Sequence, residues 1–178
     1  MQPRRIGLLG GESTGKSTLA RGLADALPAF IAEEYLRDFV ASYGRTPLPH
    51  DQEGIFLTQQ ATVATVIRAA DFADVPWIVA DPLPLMTAVY SVVYFDDEAL
   101  LAQGIADASS YDLLLWCLPD IPWQADLGIR DGTDYRERAD AVIAELIAPA
   151  LPMHRISGSE VERLATALSL TRHSPGSQ

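Results

Sequence analysis

Residues 10 to 17 read Gly10-Gly11-Glu12-Ser13-Thr14-Gly15-Lys16-Ser17, which fits G-x-x-x-x-G-K-[ST]. Such a loop constrains its surroundings, because it needs a strand feeding into it and a helix leaving it. Both are present: Ile6, Leu8 and Leu9 make a short apolar strand, and Leu19, Leu23 and Leu27 recur at helical spacing until Pro28 stops the run. The glycines let successive backbone N–H groups turn inward onto phosphate oxygens, Lys16 reaches β and γ phosphates, and Ser17 ligates Mg²⁺. The partial positive charge of the helix N-terminus, which carries Thr18, adds to the attraction. Gly10, Gly11, Glu12, Ser13, Thr14, Gly15, Lys16, Ser17 and Thr18 are therefore the expected nucleotide-binding residues. The bland alternative, a Gly/Ser-rich turn with a surface lysine, leaves the flanking strand and helix unexplained.

The 178 residues suffice for one domain, expected over residues 1–172, with 173–178 as a frayed tail. A net charge of −11 repels phosphate backbones and argues against a nucleic-acid partner, so any polyphosphate must be held locally. Cys117, the only cysteine, sits inside the apolar run LLLWCL and reads as a packed strand residue rather than a nucleophile. The sequence has no run of 18 apolar residues and no signal-peptide core after MQPRR, which points away from a membrane and to the cytoplasm. His50, His154 and His173 lack metal-ligand spacing.

Further along, Ala29 to Glu33 reads as a second strand, and a helix from Glu34 buries Leu36, Phe39 and Val40 before Gly44 ends it. After a rigid 46–50 linker, Asp51 is an expected N-cap for a helix running to about Ala73. Trp77 to Asp81 is a third strand, apolar until its closing carboxylate. Leu85 to Val93 forms a helix, another begins at Asp96-Asp97 and runs to about Ala108, and Tyr111 to Leu118 is a fourth strand. Residues 119–132 form a long, proline-bounded, lid-like loop. Asp134-x-x-Glu137 and Ser159-x-x-Glu162 are capping boxes for two final helices around an edge strand at 153–157, the last helix burying Val161, Leu164, Ala165 and Leu168. Alternating strands and helices specify an α/β fold: a P-loop sandwich with about five parallel strands and helices on both faces. Ligands then gather at the carboxyl ends of the strands, where Gly10, Glu33-Glu34, Asp81 and Pro119 lie.

Three groups there are candidates for chemistry. Asp81 ends a Walker-B-like strand and either serves the Mg²⁺ or takes a substrate hydroxyl proton; the alternative is an ordinary cap. Glu34 is placed to orient an acceptor hydroxyl, with Arg37 one turn on to meet a phosphate or second carboxylate; the alternative is a solvated first turn. Trp123, Asp126 and Arg130 put an aromatic, an acid and a base on the 119–132 loop, where an arginine can stabilise a transferring phosphoryl group. Arg136 and Arg138 read as surface charges.

With Gly10 to Ser17, Glu34-Tyr35-x-Arg37-x-Phe39-Val40, Val79-Ala80-Asp81 and Pro122-Trp123-x-Ala125-Asp126 in one order, the chain resembles the ribosylnicotinamide kinase domain of the bifunctional NAD-salvage proteins. The resemblance covers most of residues 5 to 150. It implies phosphorylation of nicotinamide riboside to nicotinamide mononucleotide with ATP and Mg²⁺. It also implies that Tyr35, Arg37, Trp123 and Asp126 line the acceptor side, with Arg130 on the closing loop. Where the family often has a second acid after the strand, this chain has Pro82-Leu83-Pro84. No [HT]-x-G-H adenylyltransferase sequence or helix-turn-helix extension is visible, so the expectation is the kinase module alone. The competing readings are a kinase for another nucleoside or small alcohol and an ATP-dependent regulatory switch, although no N/T-K-x-D for guanine recognition is present. If the loop binds nucleotide for phosphoryl transfer, Lys16→Ala lowers turnover by about 10² or more while the fold survives. A steady-state assay of the purified variant that returned the wild-type rate would overturn the P-loop reading.

Overall fold

The computed structural model describes residues 2–123 and 133–173. Five parallel strands make one sheet: β1 (Arg4–Leu9), β2 (Ala29–Ala32), β3 (Trp77–Ala80), β4 (Leu113–Cys117) and β5 (His154–Ile156). Their spatial order is β2-β3-β1-β4-β5. β1 is central, and the chain winds to β2 and β3 on one side before crossing to β4 and β5 on the other. The crevice beyond the carboxyl end of β1 is thus the topological switch point.

Alternation along the strands feeds two cores. Ile6, Leu8, Trp77, Val79, Leu113 and Leu115 pack with α1 (Lys16–Ala26) and α7 (Glu160–His173). Leu9, Ile78, Ala80, Leu114 and Trp116 face the other way. That second core includes residues of α3 (Gln52–Phe72), α4 (Leu85–Phe95), α5 (Leu101–Ala108) and α6 (Thr133–Val142). Both faces being covered, β3 and β4 are buried along their whole length, which is why they read as unbroken apolar runs. Cys117 is completely buried, and burial pushes its thiol up to about 11, as befits an inert packed residue.

α2 (Tyr35–Tyr43) ends at Gly44, whose φ of 64° provides the left-handed cap that its position suggested. Of its expected apolar stripe, Phe39 is buried, whereas Leu36 and Val40 are only half covered. Asp51 does not cap α3 through its side chain; its carboxylate takes the Leu48 N–H and a two-pronged bond from Arg45. The helix expected from Asp96 starts instead at Leu101, because Asp96 adopts φ 56° and breaks the chain after α4. α6 opens at Thr133, so Asp134 lies in its first turn rather than at its cap. The Ser159–Glu162 capping box is present, Glu162 accepting from the Ser159 N–H at 2.8 Å. Yet α7 buries Arg163, Ala167 and Thr171, whereas Val161 is 76% exposed and Ala165 is also exposed. His173 closes α7 rather than opening a tail, and residues 174–178 lie outside the described residues. No described helix is long and apolar enough to cross a membrane.

Candidate active site

Glycine is required where β1 meets the loop. Gly10 has φ 137°, and a Cβ there would come within 2.6 Å of the Cys117 carbonyl oxygen at the end of β4. A Cβ on Gly11 would lie 2.9 Å from the Arg136 carbonyl oxygen, so the first turn of α6 rests directly on the loop. Ser13 holds a left-handed φ of 54°, an uncommon conformation for a residue with a side chain. Thr14 ties the loop to itself by donating to the Gly11 carbonyl at 2.8 Å. Gly15 caps α1 with φ 79°, and no side chain caps that helix, which leaves its first-turn amides for an anion. The Lys16 ammonium donates to the Gly10 and Gly11 carbonyls at 2.8 and 2.7 Å, leaving a third N–H for a ligand.

The loop divides two cavities. One, of about 610 Å³, is lined by Ser13 to Leu19 together with Arg21, Arg37, Ile121, Pro122 and Arg163. The other, of about 280 Å³, is walled by Leu36, Ile55, Pro82, Met86, Tyr90, Tyr94 and Phe95, with Glu12, Glu34, Gln52 and Gln59 among its polar groups. Glu12 and Ser13, adjacent in sequence, thus face opposite cavities.

Two buried polar side chains that sequence reasoning missed hold these walls. Arg163, 3% exposed, donates to the carbonyls of Gly158 at 2.8 Å, Thr14 at 3.0 Å and Leu118 at 3.1 Å, and pairs with Asp120. One guanidinium thereby joins the phosphate loop, the end of β4 and the turn before α7. Gln59, also 3% exposed, accepts from the Tyr35 N–H at 2.7 Å. Its amide nitrogen lies 3.1 Å from the Glu33 carbonyl and 3.2 Å from that of Pro82, so it fixes both sides of Glu34 and the chain just past β3. Arg136 differs from expectation too: it is buried and donates to the Ile121 carbonyl at 3.0 Å, while Arg138 is exposed as read.

The other expected site residues distribute unevenly. Glu34 reaches the smaller cavity and pairs with Arg37 at 3.5 Å. Arg37 itself is half exposed and lines the phosphate-side cavity, not the acceptor side to which resemblance assigned it. Tyr35 sits in the first turn of α2, its ring in neither wall. Glu12, expected against the nucleotide, lines the smaller cavity instead. Asp81 is only 8% exposed, and its Oδ1 has no partner among the described residues. It acts on the Cys117 thiol together with Lys16 and Arg163, which puts all three charges around the floor of the loop. Trp123 is half buried, its Nε1 without a partner among the described residues; Asp126 and Arg130 lie outside them.

A glycine-bounded anion cradle at the switch point of a parallel sheet defines a P-loop nucleotide-binding protein. The chain belongs to the AAA domain family, whose sequence profile matches residues 5–163. It is similar to the trifunctional NAD biosynthesis/regulator protein NadR of Salmonella typhimurium, 30% identical over 134 residues that cover 71% of this chain and 31% of that protein. The Escherichia coli NadR is 28% identical over 185 residues, 98% of this chain and 43% of that protein. The chain therefore spans less than half the length of these curated relatives. A NadR crystal structure in complex with NR superposes with a TM-score of 0.76 at 21% identity, covering 99% of this chain and 53% of that one.

Arg163 generates a test of the scaffold. Arg163→Met keeps volume but removes the donor from one buried and two part-buried carbonyls and from the Asp120 carboxylate, at a cost of about 3 kcal/mol. Calorimetry of the variant is expected to show Tm lowered by about 6–12 °C. An unchanged Tm would mean that the loop does not depend on this guanidinium.

Proposed function

We propose that this protein transfers the terminal phosphoryl group of ATP to the 5′-hydroxyl of nicotinamide riboside, giving nicotinamide mononucleotide and ADP. The observation that carries the reading is the partition: one loop has an anion cradle on one side and an apolar, carboxylate-bearing cavity on the other. Two substrates bound in these neighbouring cavities meet where the cavities adjoin beside the loop, and little covalent assistance is then needed beyond alignment and charge neutralisation. Tyr90, Tyr94 and Phe95 give the cavity an aromatic wall for a ring to pack on, while Glu12 and Glu34 favour a positive charge on it. Nicotinamide riboside combines that cationic ring with ribose hydroxyls. The likeness to NadR, including the complex with NR, supports the same acceptor.

In the step, the hydroxyl oxygen bonds to the γ phosphorus as the bond to the β-γ bridging oxygen breaks; ADP departs and the hydroxyl proton is released. Lys16 and the α1 amides neutralise the phosphate oxygens. Asp126 and Arg130 are assigned by resemblance to the acceptor and the closing loop, and Tyr35 and Trp123 to the acceptor side.

The residues also fit Mg²⁺ arriving with the nucleotide. Among the described residues no cluster of three or more His, Cys, Asp or Glu is placed to cage a metal. Such a site leaves Mg²⁺ to nucleotide phosphates plus one or two protein groups, here Ser17 and Asp81. The orphaned, buried Asp81 Oδ1 suits that role. When bound, the ion would neutralise charge on the phosphate oxygens.

With ATP and Mg²⁺, mass detection is expected to show kcat/KM for nicotinamide riboside at least about 10²-fold above that for uridine, cytidine or adenosine. Phosphorylation of another nucleoside with none of nicotinamide riboside would refute this acceptor, and ATP turnover indifferent to every acceptor would favour a regulatory ATPase. Asp81→Asn, if Asp81 serves the ion, raises the Mg²⁺ concentration needed for half-maximal rate as well as lowering the rate. A slower variant with unchanged Mg²⁺ dependence would reassign Asp81 to the proton.

A further inference from the structure

Resting on the phosphoryl-transfer reading, we propose that Glu12, a residue of the phosphate loop itself, is the carboxylate that accepts a hydrogen bond from the acceptor's reacting hydroxyl. Three carboxylates compete for that role. Asp81 is only 8% exposed, and it is Pro82, not Asp81, that contributes to the wall of the smaller cavity. Glu34 lines that cavity but stands on the first residue before α2 and is engaged by Arg37 at 3.5 Å.

Glu12 differs from both in where its backbone lies. Its neighbour Ser13 lines the phosphate-side cavity while Glu12 lines the other, so the two cavities adjoin at this point of the loop. A hydroxyl bound in the smaller cavity approaches a phosphoryl group held by the loop from the side that Glu12 faces. The carboxylate is also steadied: Tyr94 donates its O–H to Glu12 Oε1 at 3.4 Å, and the Tyr94 ring stacks on Tyr135 at 4.7 Å with 16° between planes. Tyr94 comes from α4 and Tyr135 from α6, so two rigid helices set the position of one loop side chain. A carboxylate is acceptor-only when ionised, which suits it to a hydroxyl donor and not to a phosphate.

The inference separates two properties that a P-loop residue would ordinarily affect together. Glu12→Gln is expected to lower kcat/KM for nicotinamide riboside by about 10²-fold while leaving the dissociation constant of a fluorescent ATP analogue within about twofold. Calorimetric titration of nicotinamide riboside in the presence of a non-hydrolysable ATP analogue is expected to show binding to the wild type weakened about 10-fold or more in the variant. Thermal unfolding of the variant, expected near the wild-type Tm, excludes a folding defect. Wild-type kcat/KM in Glu12→Gln, or equal loss of ATP-analogue and nucleoside binding, would overturn the proposal. Binding of nicotinamide riboside without its phosphorylation would refute the transfer reading alone, Glu12 then standing or falling by the titration. If the wild type does not bind this nucleoside, both are refuted.

Discussion

A buried guanidinium holds together the three segments on which phosphate binding depends. The carbonyls of the loop between β1 and α1 need partners of their own: Lys16 takes those of Gly10 and Gly11, and others must be met from outside the loop. The Thr14 carbonyl is such a group, and Arg163 takes it at 3.0 Å while also serving Leu118 and Gly158. Leaving a buried carbonyl unsatisfied costs about 1–3 kcal/mol, so satisfying three with one side chain is a substantial constraint on the fold. Asp120 offsets the charge that burial of Arg163 would otherwise strand. The cradle is therefore not a property of its own sequence alone; it is braced from α7, 149 residues further along the chain.

The smaller cavity is braced by the same logic with a neutral group. Gln59 uses its carbonyl and both amide hydrogens to hold the Tyr35 amide and the Glu33 and Pro82 carbonyls. Without it the Tyr35 N–H and the Glu33 and Pro82 carbonyls, all just past the ends of β2 and β3, would lose this partner. Because Gln59 lines the smaller cavity as well, the residue that fixes Glu34 also belongs to the surface it presents. Two long-range polar anchors, one charged and one neutral, thus set the two sides of one partition.

These anchors mark the boundary of what the sequence reveals. The phosphate loop, the buried strands β3 and β4 and the Ser159–Glu162 box were legible because each depends on residues close together in the chain. Arg163 was not, since its partners are mostly backbone carbonyls, which every residue carries and no pattern marks. Its burial also explains the misread face of α7: a helix is expected to turn its aliphatic residues inward, but here an arginine occupies the inner stripe with Ala167 and Thr171, and Val161 is left outside. Arg136 escaped notice for a related reason, its carbonyl and Cα packing against a glycine whose lack of a side chain allows the approach. The late start of α5 turned on the left-handed conformation of Asp96, which an acidic pair reads equally well as a cap. Glu12 lay in plain view within the motif, but the motif fixes only its glycines, lysine and hydroxyl; which cavity an intervening side chain enters depends on the folded path of the loop, where Gly10 and Ser13 hold positive φ.

Charge is distributed across the partition in a way that bears on turnover. The chain carries a net charge of −11, yet the phosphate-side cavity gathers Lys16, Arg21, Arg37 and Arg163 against the carboxylate of Glu160, while the smaller cavity has Glu12 and Glu34 and no lysine or arginine among its described walls. A neutral or cationic nucleoside enters the second cavity without electrostatic cost, whereas its phosphorylated form brings negative charge toward two carboxylates. At roughly 4 Å and an effective dielectric of about 20, each like-charge pair costs about 4 kcal/mol, falling as solvent enters. In the proposed reaction that repulsion arises only once the phosphoryl group has passed to the acceptor and ADP no longer shares its charge with the cradle. The same two carboxylates that attract a cationic acceptor would therefore disfavour retention of the product and exclude mononucleotides as acceptors, so that one electrostatic asymmetry serves selection and release together.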